Sequence, residues 1–329
     1  MTEAILPWQV SQWQQLVGAD SEGRLGHALL LSGPGGIGKL RFARALMAWL
    51  VCEQPQNQGA CGKCRSCHYG LDNPDLHIIE PPEGKKQIAV DQVRELVALS
   101  TQTAHRSGGR KVVLVHPADA MNANTANALL KTLEEPSGDT VLILVSNEPA
   151  RLLPTIRSRC QQLPFPTPNA SLALDWLKMS VGDAALAETC LREAGGRPLA
   201  AQVLFENDGL AARERCDSLL QAWAAGEQSL SQVIDGLKEV ELDFYLEWFA
   251  HRIHALLVAV MAEQSDDVNA AWQRWLDRPP AAILSFQKQL LDLRAQVQRG
   301  VALNRQLTIE SLLLSWAMVC SSANAGLGV

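Results

Sequence analysis

The sequence lacks a long uninterrupted apolar segment, although 47% of its 329 residues are hydrophobic. The longest such run covers residues 255–262. It is far shorter than the roughly 20 apolar residues that a helix needs to cross a bilayer. The first 13 residues also lack a basic start followed by an apolar stretch, so we expect no signal peptide. These absences predict a cytosolic protein whose cysteines stay reduced.

Positive charge is scarce as well, because 29 Lys and Arg residues face 35 Asp and Glu residues, giving a net charge of −6. A protein that binds nucleic acid by itself usually carries a basic face. No stretch interleaves aromatic and basic residues in the way typical of proteins that bind single strands. If DNA is nearby, we expect other chains to supply most of the contact.

In its first half the chain alternates between short apolar runs and helical patterns. Strand-like runs cover residues 27–31, 76–79, 111–115 and 141–145, and helical spacing covers 40–51, the segment from Val90, and Ala126 to Leu133. The last of these helices should stop before Pro136, and Pro149 can open the helix after the fourth run. This alternation predicts a parallel α/β sheet covered by helices on both faces.

The second half is predicted to be helical. After Pro164, Pro166 and Pro168 the strand pattern ends, and residues 170–178, 184–194 and 199–206 form a small helical domain. From about residue 207 the pattern is helical throughout, with breaks at Gly226, Pro279 and Gly300. We interpret the tryptophans of this region as its core: Trp223, Trp248, Trp272, Trp275 and Trp316.

Residues 33–39 read Gly-Pro-Gly-Gly-Ile-Gly-Lys and fit the phosphate-loop pattern G-x-x-x-x-G-K. The segment follows a predicted strand and opens a predicted helix, as the pattern requires. Its glycines let backbone N–H groups converge on a phosphate: Gly33, Gly35, Gly36 and Gly38. Lys39 would reach the β- and γ-phosphates.

Two features of a hydrolytic site are missing. A working loop has Ser or Thr after the lysine to hold Mg²⁺, whereas this chain has Leu40. An acidic pair should follow the strand at 111–115, but His116 and Pro117 stand there. Proline offers no ligand, and histidine is a poor ligand for Mg²⁺. The sequence therefore predicts no ATP hydrolysis, while nucleotide binding stays open.

Four of the eight cysteines cluster between the first predicted helix and the next strand: Cys52, Cys61, Cys64 and Cys67. Four thiolates at this spacing favour a tetrahedral zinc site with no open position, and hence a structural role. An iron–sulfur cluster is the alternative, but the fourth cysteine of a ferredoxin run, three residues later and followed by proline, is missing. The other four cysteines are isolated and are predicted to be buried.

Several segments resemble the bacterial clamp-loader AAA+ family. They are the run at 127–136, Asn-Ala-Leu-Leu-Lys-Thr-Leu-Glu-Glu-Pro, the Ser-Arg-Cys at 158–160, and the spacing of the cysteines. The run at 303–314 is similar to the end of delta-prime subunits. The resemblance implies a P-loop AAA+ α/β domain over 1–166 with a zinc insert at 52–67. It further implies a helical lid domain over 167–206 and an all-α collar domain over 207–329.

The resemblance also assigns individual roles. Arg159, by itself, is best interpreted as a cation that offsets the carbonyls of a helix C-terminus. In the family, the arginine of Ser-Arg-Cys reaches into a neighbouring subunit's ATP site as an arginine finger. Asn147 lies where these ATPases have a residue that senses the γ-phosphate. The lid arginine of hydrolysing relatives aligns with Pro198, and the adjacent Arg197 is not expected to replace it.

We consider two functions. The first is an ATPase-inactive delta-prime subunit of the DNA polymerase III clamp loader. Gamma/tau and delta subunits would be its partners, and the β clamp and primed DNA would be bound by the assembly. The second is an independent, slow P-loop ATPase whose zinc module binds a substrate, supported only by Lys39 and the intact glycines.

Overall fold

The computed structural model describes residues 4–100, 105, 109–135, 139–263 and 268–321, and for residues 98–100 it describes the backbone alone. Pro136, where a helix was predicted to stop, lies outside the described residues. The chain divides into two compact units, Met1–Phe205 and Glu206–Val329. The finer domain limits at residues 166 and 206 stay predictions.

The first unit is built on a parallel sheet of five strands in the order β2-β3-β4-β1-β5. The strands are β1 (Ala28–Ser32), β2 (Leu76–Ile79), β3 (Lys111–Val115), β4 (Thr140–Ser146) and β5 (Gln161–Pro164). β1, β3 and β4 are almost entirely buried. Parallel strands covered on both faces read as continuous apolar runs, and for this reason the sequence predicts these three well.

In its described part the first unit also contains nine α-helices, and some of them cover the two faces of the sheet. The nine are α1 (Val10–Ser21), α2 (Lys39–Val51), α3 (Arg65–Tyr69), α4 (Val90–Ser100), α5 (Ala123–Glu134), α6 (Pro154–Arg157), α7 (Ala170–Val181), α8 (Ala184–Glu193) and α9 (Pro198–Glu206). One core contains Trp13 of α1 and Phe42 of α2, and the other contains Val93 of α4 and Leu129 of α5. The predicted parallel α/β architecture is thus confirmed.

A strand, β5, and a helix, α1, are among the elements of this unit that were not predicted. β5 reads Gln-Gln-Leu-Pro and has neither an apolar run nor an alternating pattern. It forms because β1 offers a free edge, to which it pairs from Leu29–Gln161 to Ser32–Pro164. Helix α1 carries few apolar residues beyond Trp13 and Leu16, which anchor it in the core.

The second unit is helical in its described part. It contains α10 (Gly209–Ala224), α11 (Leu230–Gly236), α12 (Leu242–Ala262), α13 (Pro280–Gln298) and α14 (Arg305–Ser321). Four of the five tryptophans are buried in one cluster, and Trp223 packs against it half-buried. The tryptophan core is confirmed. None of the helices that the structure describes is long and apolar enough to span a membrane.

Candidate functional site

The phosphate loop joins β1 to α2 at the carboxyl end of the sheet. Gly38 is the N-cap of α2 with φ of 90°, in the left-handed region that favours glycine. Trp8 and Gln9 donate hydrogen bonds to the carbonyl of Ile37 at 3.0 and 3.2 Å. Among the described residues no side chain caps the start of α2, so its N–H groups remain available to an anion.

The loop is also held from its other side. The backbone N–H groups of Leu199 and Ala200, at the start of α9, donate to the carbonyl of Gly36 at 2.9 and 3.3 Å. A Cβ at Gly33 would collide with the carbonyl oxygen of Phe165. The chain after β5 and the helix α9 therefore fix the shape of the loop.

Lys39 is buried under this loop. Its Nζ donates to the carbonyl oxygens of Gly33 and Pro34 at 2.7 and 2.6 Å and to Oδ1 of Asn147 at 2.8 Å. Burial lowers the pKa of Lys39 to about 8, and the nearby Asp119 carboxylate partly opposes this shift. The structure thus joins the loop lysine directly to the residue predicted to sense the γ-phosphate.

An open cleft of about 490 Å³ lies over the loop. Its lining brings together the loop, the start of α2, the ends of β3 and β4, and α9: Gly35, Gly36, Gly38, Lys39, Leu40, Arg41, Arg44, His116, Val145, Asn147 and Leu199. Protein sites for small molecules typically occupy about 300–1,000 Å³. The cleft is therefore large enough for a nucleotide.

The residues that replace the metal ligands face this cleft. Leu40 and His116 both line it, and neither offers the oxygen that Mg²⁺ prefers. Nδ1 of His116 lies 3.8 Å from Oε1 of Glu80. Burial lowers the pKa of His116, an effect that the Glu80 carboxylate partly opposes. With a histidine here, this position has no carboxylate to offer Mg²⁺.

Sequence reasoning missed two carboxylates beside the cleft. Asp119 accepts a hydrogen bond from the backbone N–H of Asn147 at 2.9 Å, which fixes the turn that presents the Asn147 amide to Lys39. Glu80 follows β2, and its carboxylate lies 3.7 Å from Arg44 on α2. Glu80 could have been found from its position after a strand that neighbours β3, since the ends of parallel strands meet at one edge.

Arg159 lies just after α6, away from the cleft of its own chain. Its Nη2 forms an ion pair of 2.6 Å with Oε1 of Glu134, the C-terminal residue of α5. Its Nη1 donates to the carbonyl of Thr155 at 3.1 Å. The side chain is 37% exposed. The guanidinium therefore offsets a helix carbonyl and is still accessible from outside.

Arg197 and Pro198 do not face the cleft. Nε of Arg197 donates to the carbonyl of Ala194 at 2.7 Å, and Pro198 is buried at the first position of α9. Leu199, the next residue, is the one from this segment that lines the cleft.

The four predicted cysteines converge between α2 and β2. Their sulfur atoms all lie within 4.8 Å of one another, with separations of 3.9 Å for Cys52–Cys64, 3.9 Å for Cys61–Cys67 and 3.6 Å for Cys52–Cys67. Four thiolates around a tetrahedral Zn²⁺ at about 2.3 Å lie about 3.8 Å apart. The cluster can therefore hold one metal ion.

The surroundings of the sulfur atoms favour a thiolate at Cys61 and disfavour one at Cys67. Backbone N–H groups of Lys63 and Cys64 point at the Cys61 sulfur and lower the pKa of Cys61 to about 6. Burial instead raises the pKa of Cys67 to about 12. A divalent cation stabilises the deprotonated form of every ligand. A bound cation would therefore hold all four cysteines as thiolates, although their pKa values differ without it.

Comparison with known proteins identifies the family to which the chain belongs. A family model described as DNA polymerase III, delta subunit matches residues 8–169. The DNA polymerase III subunit delta' of Pseudomonas aeruginosa is 41% identical over 323 residues, which cover 95% of this chain and 97% of that protein. The subunit delta' of Escherichia coli is 34% identical over 318 residues, with 94% of each chain covered. The chain belongs to the DNA polymerase III delta-prime family.

Membership in the delta-prime family confirms the predicted resemblance to the bacterial clamp-loader family. A DNA polymerase III subunit gamma/tau of Mycobacterium tuberculosis matches a smaller part of the chain. It is 37% identical over 145 residues, which cover 44% of this chain and 25% of that protein. The roles of Arg159, of the loop residues and of Asn147 stay predictions.

Proposed function

We propose that this chain is the delta-prime subunit of a bacterial clamp loader and that it does not hydrolyse ATP. The observation that carries the proposal is the cleft over the phosphate loop. Its lining keeps Lys39 and three glycines, but Leu40 and His116 occupy the positions of the magnesium ligands. Without a bound metal ion, the charge that develops on the γ-phosphate lacks the partner that hydrolysis requires.

Arg159 would act on a neighbouring gamma/tau subunit instead. Its exposure and its position outside its own cleft favour a role in trans. Its ion pair with Glu134 joins two partly exposed side chains, and such pairs contribute at most about 1 kcal/mol. A phosphate on a neighbour can therefore displace the glutamate at little cost. Arginine fingers accelerate phosphoryl transfer by about 10³–10⁵-fold.

The remaining parts of the chain would serve assembly in the bacterial cytosol. The C-terminal helical domain, residues 207–329, would join gamma/tau and delta subunits as a collar, and residues 167–206 would form the lid. The assembled complex, rather than this chain by itself, would bind the β clamp and primed DNA, in keeping with a net charge of −6. A structural Zn²⁺ at the four cysteines would stabilise the first domain.

The absence of hydrolysis is tested on the purified chain. With ATP and Mg²⁺ we expect no phosphate release above background, because Leu40 and His116 leave the metal without ligands. The Lys39→Ala variant serves as the control. Turnover that disappears in this variant would favour the second function, an independent P-loop ATPase.

The role in trans is tested in the reconstituted complex. Arg159→Ala should leave assembly intact and reduce the contribution of one neighbouring site to the DNA-stimulated ATPase rate by about 10³-fold. Arg157→Ala is the matched control, since Arg157 is exposed on the same short helix. An unchanged ATPase rate in an assembled Arg159→Ala complex would exclude the finger.

A further inference from the structure

We propose that the phosphate-loop cleft binds the polyphosphate group of a nucleotide without a divalent cation, and that Arg44 takes the electrostatic role of the metal ion. This inference rests on the proposed function and deepens it. A site that does not hydrolyse ATP does not need Mg²⁺ for the reaction, so it can bind ATP as the metal-free anion.

The first reason is the charge of the cleft. Lys39, Arg41 and Arg44 line it, and none of the described residues in its lining is acidic. The nearby carboxylates of Glu80 and Asp119 lie outside the lining. A cleft of this kind attracts a free polyphosphate more strongly than a polyphosphate already neutralised by Mg²⁺.

The second reason is where Arg44 lies. It follows Leu40 by four positions on α2, so both residues share one face of the helix. Helical side chains lean toward the N-terminus, which brings the guanidinium over the turn that begins at Leu40. Arg44 also pairs with Glu80, whose Oε1 lies 3.7 Å from Arg44 and 3.8 Å from His116. The guanidinium thus lies close to both positions that lack a magnesium ligand.

The third reason is the chemistry of the groups. A guanidinium presents a planar fork of N–H donors that matches two phosphate oxygens, and it sheds water more readily than an ammonium does. The Arg44–Glu80 pair is long and partly exposed, with side chains 30% and 43% accessible. Such a pair is weak, so phosphate oxygens can replace the Glu80 carboxylate. Lys39 would exchange its bonds to Gly33 and Pro34 for phosphate in the same way.

The test is calorimetric titration of the full chain with ATP, once in excess EDTA and once in excess Mg²⁺. We expect binding in EDTA that is equal to or tighter than binding in Mg²⁺, and that weakens as salt is added. Arg44→Ala should weaken ATP binding in EDTA by about tenfold or more. Arg44→Lys should recover part of the loss. The matched control is Arg94→Ala, which removes an exposed arginine that also pairs with a carboxylate, that of Asp91.

Inorganic tripolyphosphate in a second series separates the phosphate contribution from that of the base. Binding of tripolyphosphate that Arg44→Ala weakens supports the assignment. ATP binding that is tighter in Mg²⁺ than in EDTA, no measurable ATP binding, or an Arg44→Ala variant that binds like the unmodified chain would overturn it. These failures would leave the proposed function standing, because the effect of Arg159→Ala is measured at a neighbour's site.

Discussion

The ammonium of Lys39 is the charged group that the fold of the first unit buries beneath the phosphate loop. Burial lowers the pKa of Lys39 from its ordinary value of 10.5 to about 8. At neutral pH the folded chain therefore holds a charge that its surroundings disfavour. Binding residues commonly reduce stability in this way, because a ligand rather than the protein is their intended partner.

We expect Lys39→Met to stabilise the chain by about 1–3 kcal/mol at pH 7, since it removes a buried charge. Below pH 8 the variant has its full gain in stability, because the Lys39 of the unmodified chain is protonated in both the folded and the unfolded state. Between pH 8 and 10.5 only the unfolded chain keeps the proton, so the gain declines and vanishes above that range. Urea unfolding at several pH values measures this.

Lys86→Met provides the control, because Lys86 is exposed in the loop before α4. It should change stability little at any of these pH values. An equal gain for both variants would show that burial of Lys39 is not the cause.

At the scale of elements, the cysteine insert at 52–67 is held to helices α1 and α2 by two indole hydrogen bonds. Nε1 of Trp49 donates to the carbonyl of Gln56, and Nε1 of Trp13 to that of Asn57, both at 2.8 Å. Cys52 is the C-cap of α2, and Cys64 is the N-cap of α3. A helix as short as α3 is not stable in isolation, so we expect a metal ion held by the four cysteines to stabilise it.

Zinc content should be near one ion per chain in the unmodified protein and should be lost in Cys64→Ser. A structural zinc site contributes roughly 10–16 kcal/mol, and losing even about 3 kcal/mol of this lowers Tm by roughly 6–12 °C in a domain of this size. Elemental analysis and thermal unfolding check both effects. Cys320→Ala, outside the cluster, should keep its zinc. A Cys64→Ser chain that retained zinc and Tm would refute a four-cysteine site.

At the scale of the whole molecule, the second unit combines its apolar core with a buried polar network. The second unit contains a buried carboxylate, Asp217, which accepts hydrogen bonds from Trp248, Trp272 and Asn269 and pairs with Arg252 at 2.6 Å. The Asp217 and Arg252 side chains are 8% and 7% exposed. This network ties α10 to α12 and to the segment at 269–272.

Asp217→Ala should destabilise the second unit by about 3–5 kcal/mol, because it removes the carboxylate that pairs with the buried Arg252 charge. Hydrogen exchange should accelerate at the amides of α10 and α12 and stay unchanged in β1, β3 and β4, since stability is local to each unit. Asp235→Ala, which breaks the exposed pair with Lys238, is the control. Acceleration in both units would mean that they unfold together.

The sheet and the cysteines show most clearly how much of the structure the sequence predicts. β1, β3 and β4 are buried on both faces, so each appears as an apolar run whatever its neighbours are. Likewise the spacing of the cysteines and of the phosphate loop specifies which residues meet, because these residues lie close in the chain. The replacement of the metal ligands by Leu40, His116 and Pro117 could also be predicted from position alone.

Tertiary structure decided what depends on residues far apart in the chain. It formed β5 at the free edge of β1, without any pattern in β5 itself. It brought Glu80 to both Arg44 and His116 and joined Lys39 to Asn147, which lies 108 positions away. It also gathered the partners of Asp217 from 31 to 55 positions along the chain. Local patterns determine which residues become strands, helices and ligands, but only the folded chain sets which charges face one another, because burial and distance determine their interaction.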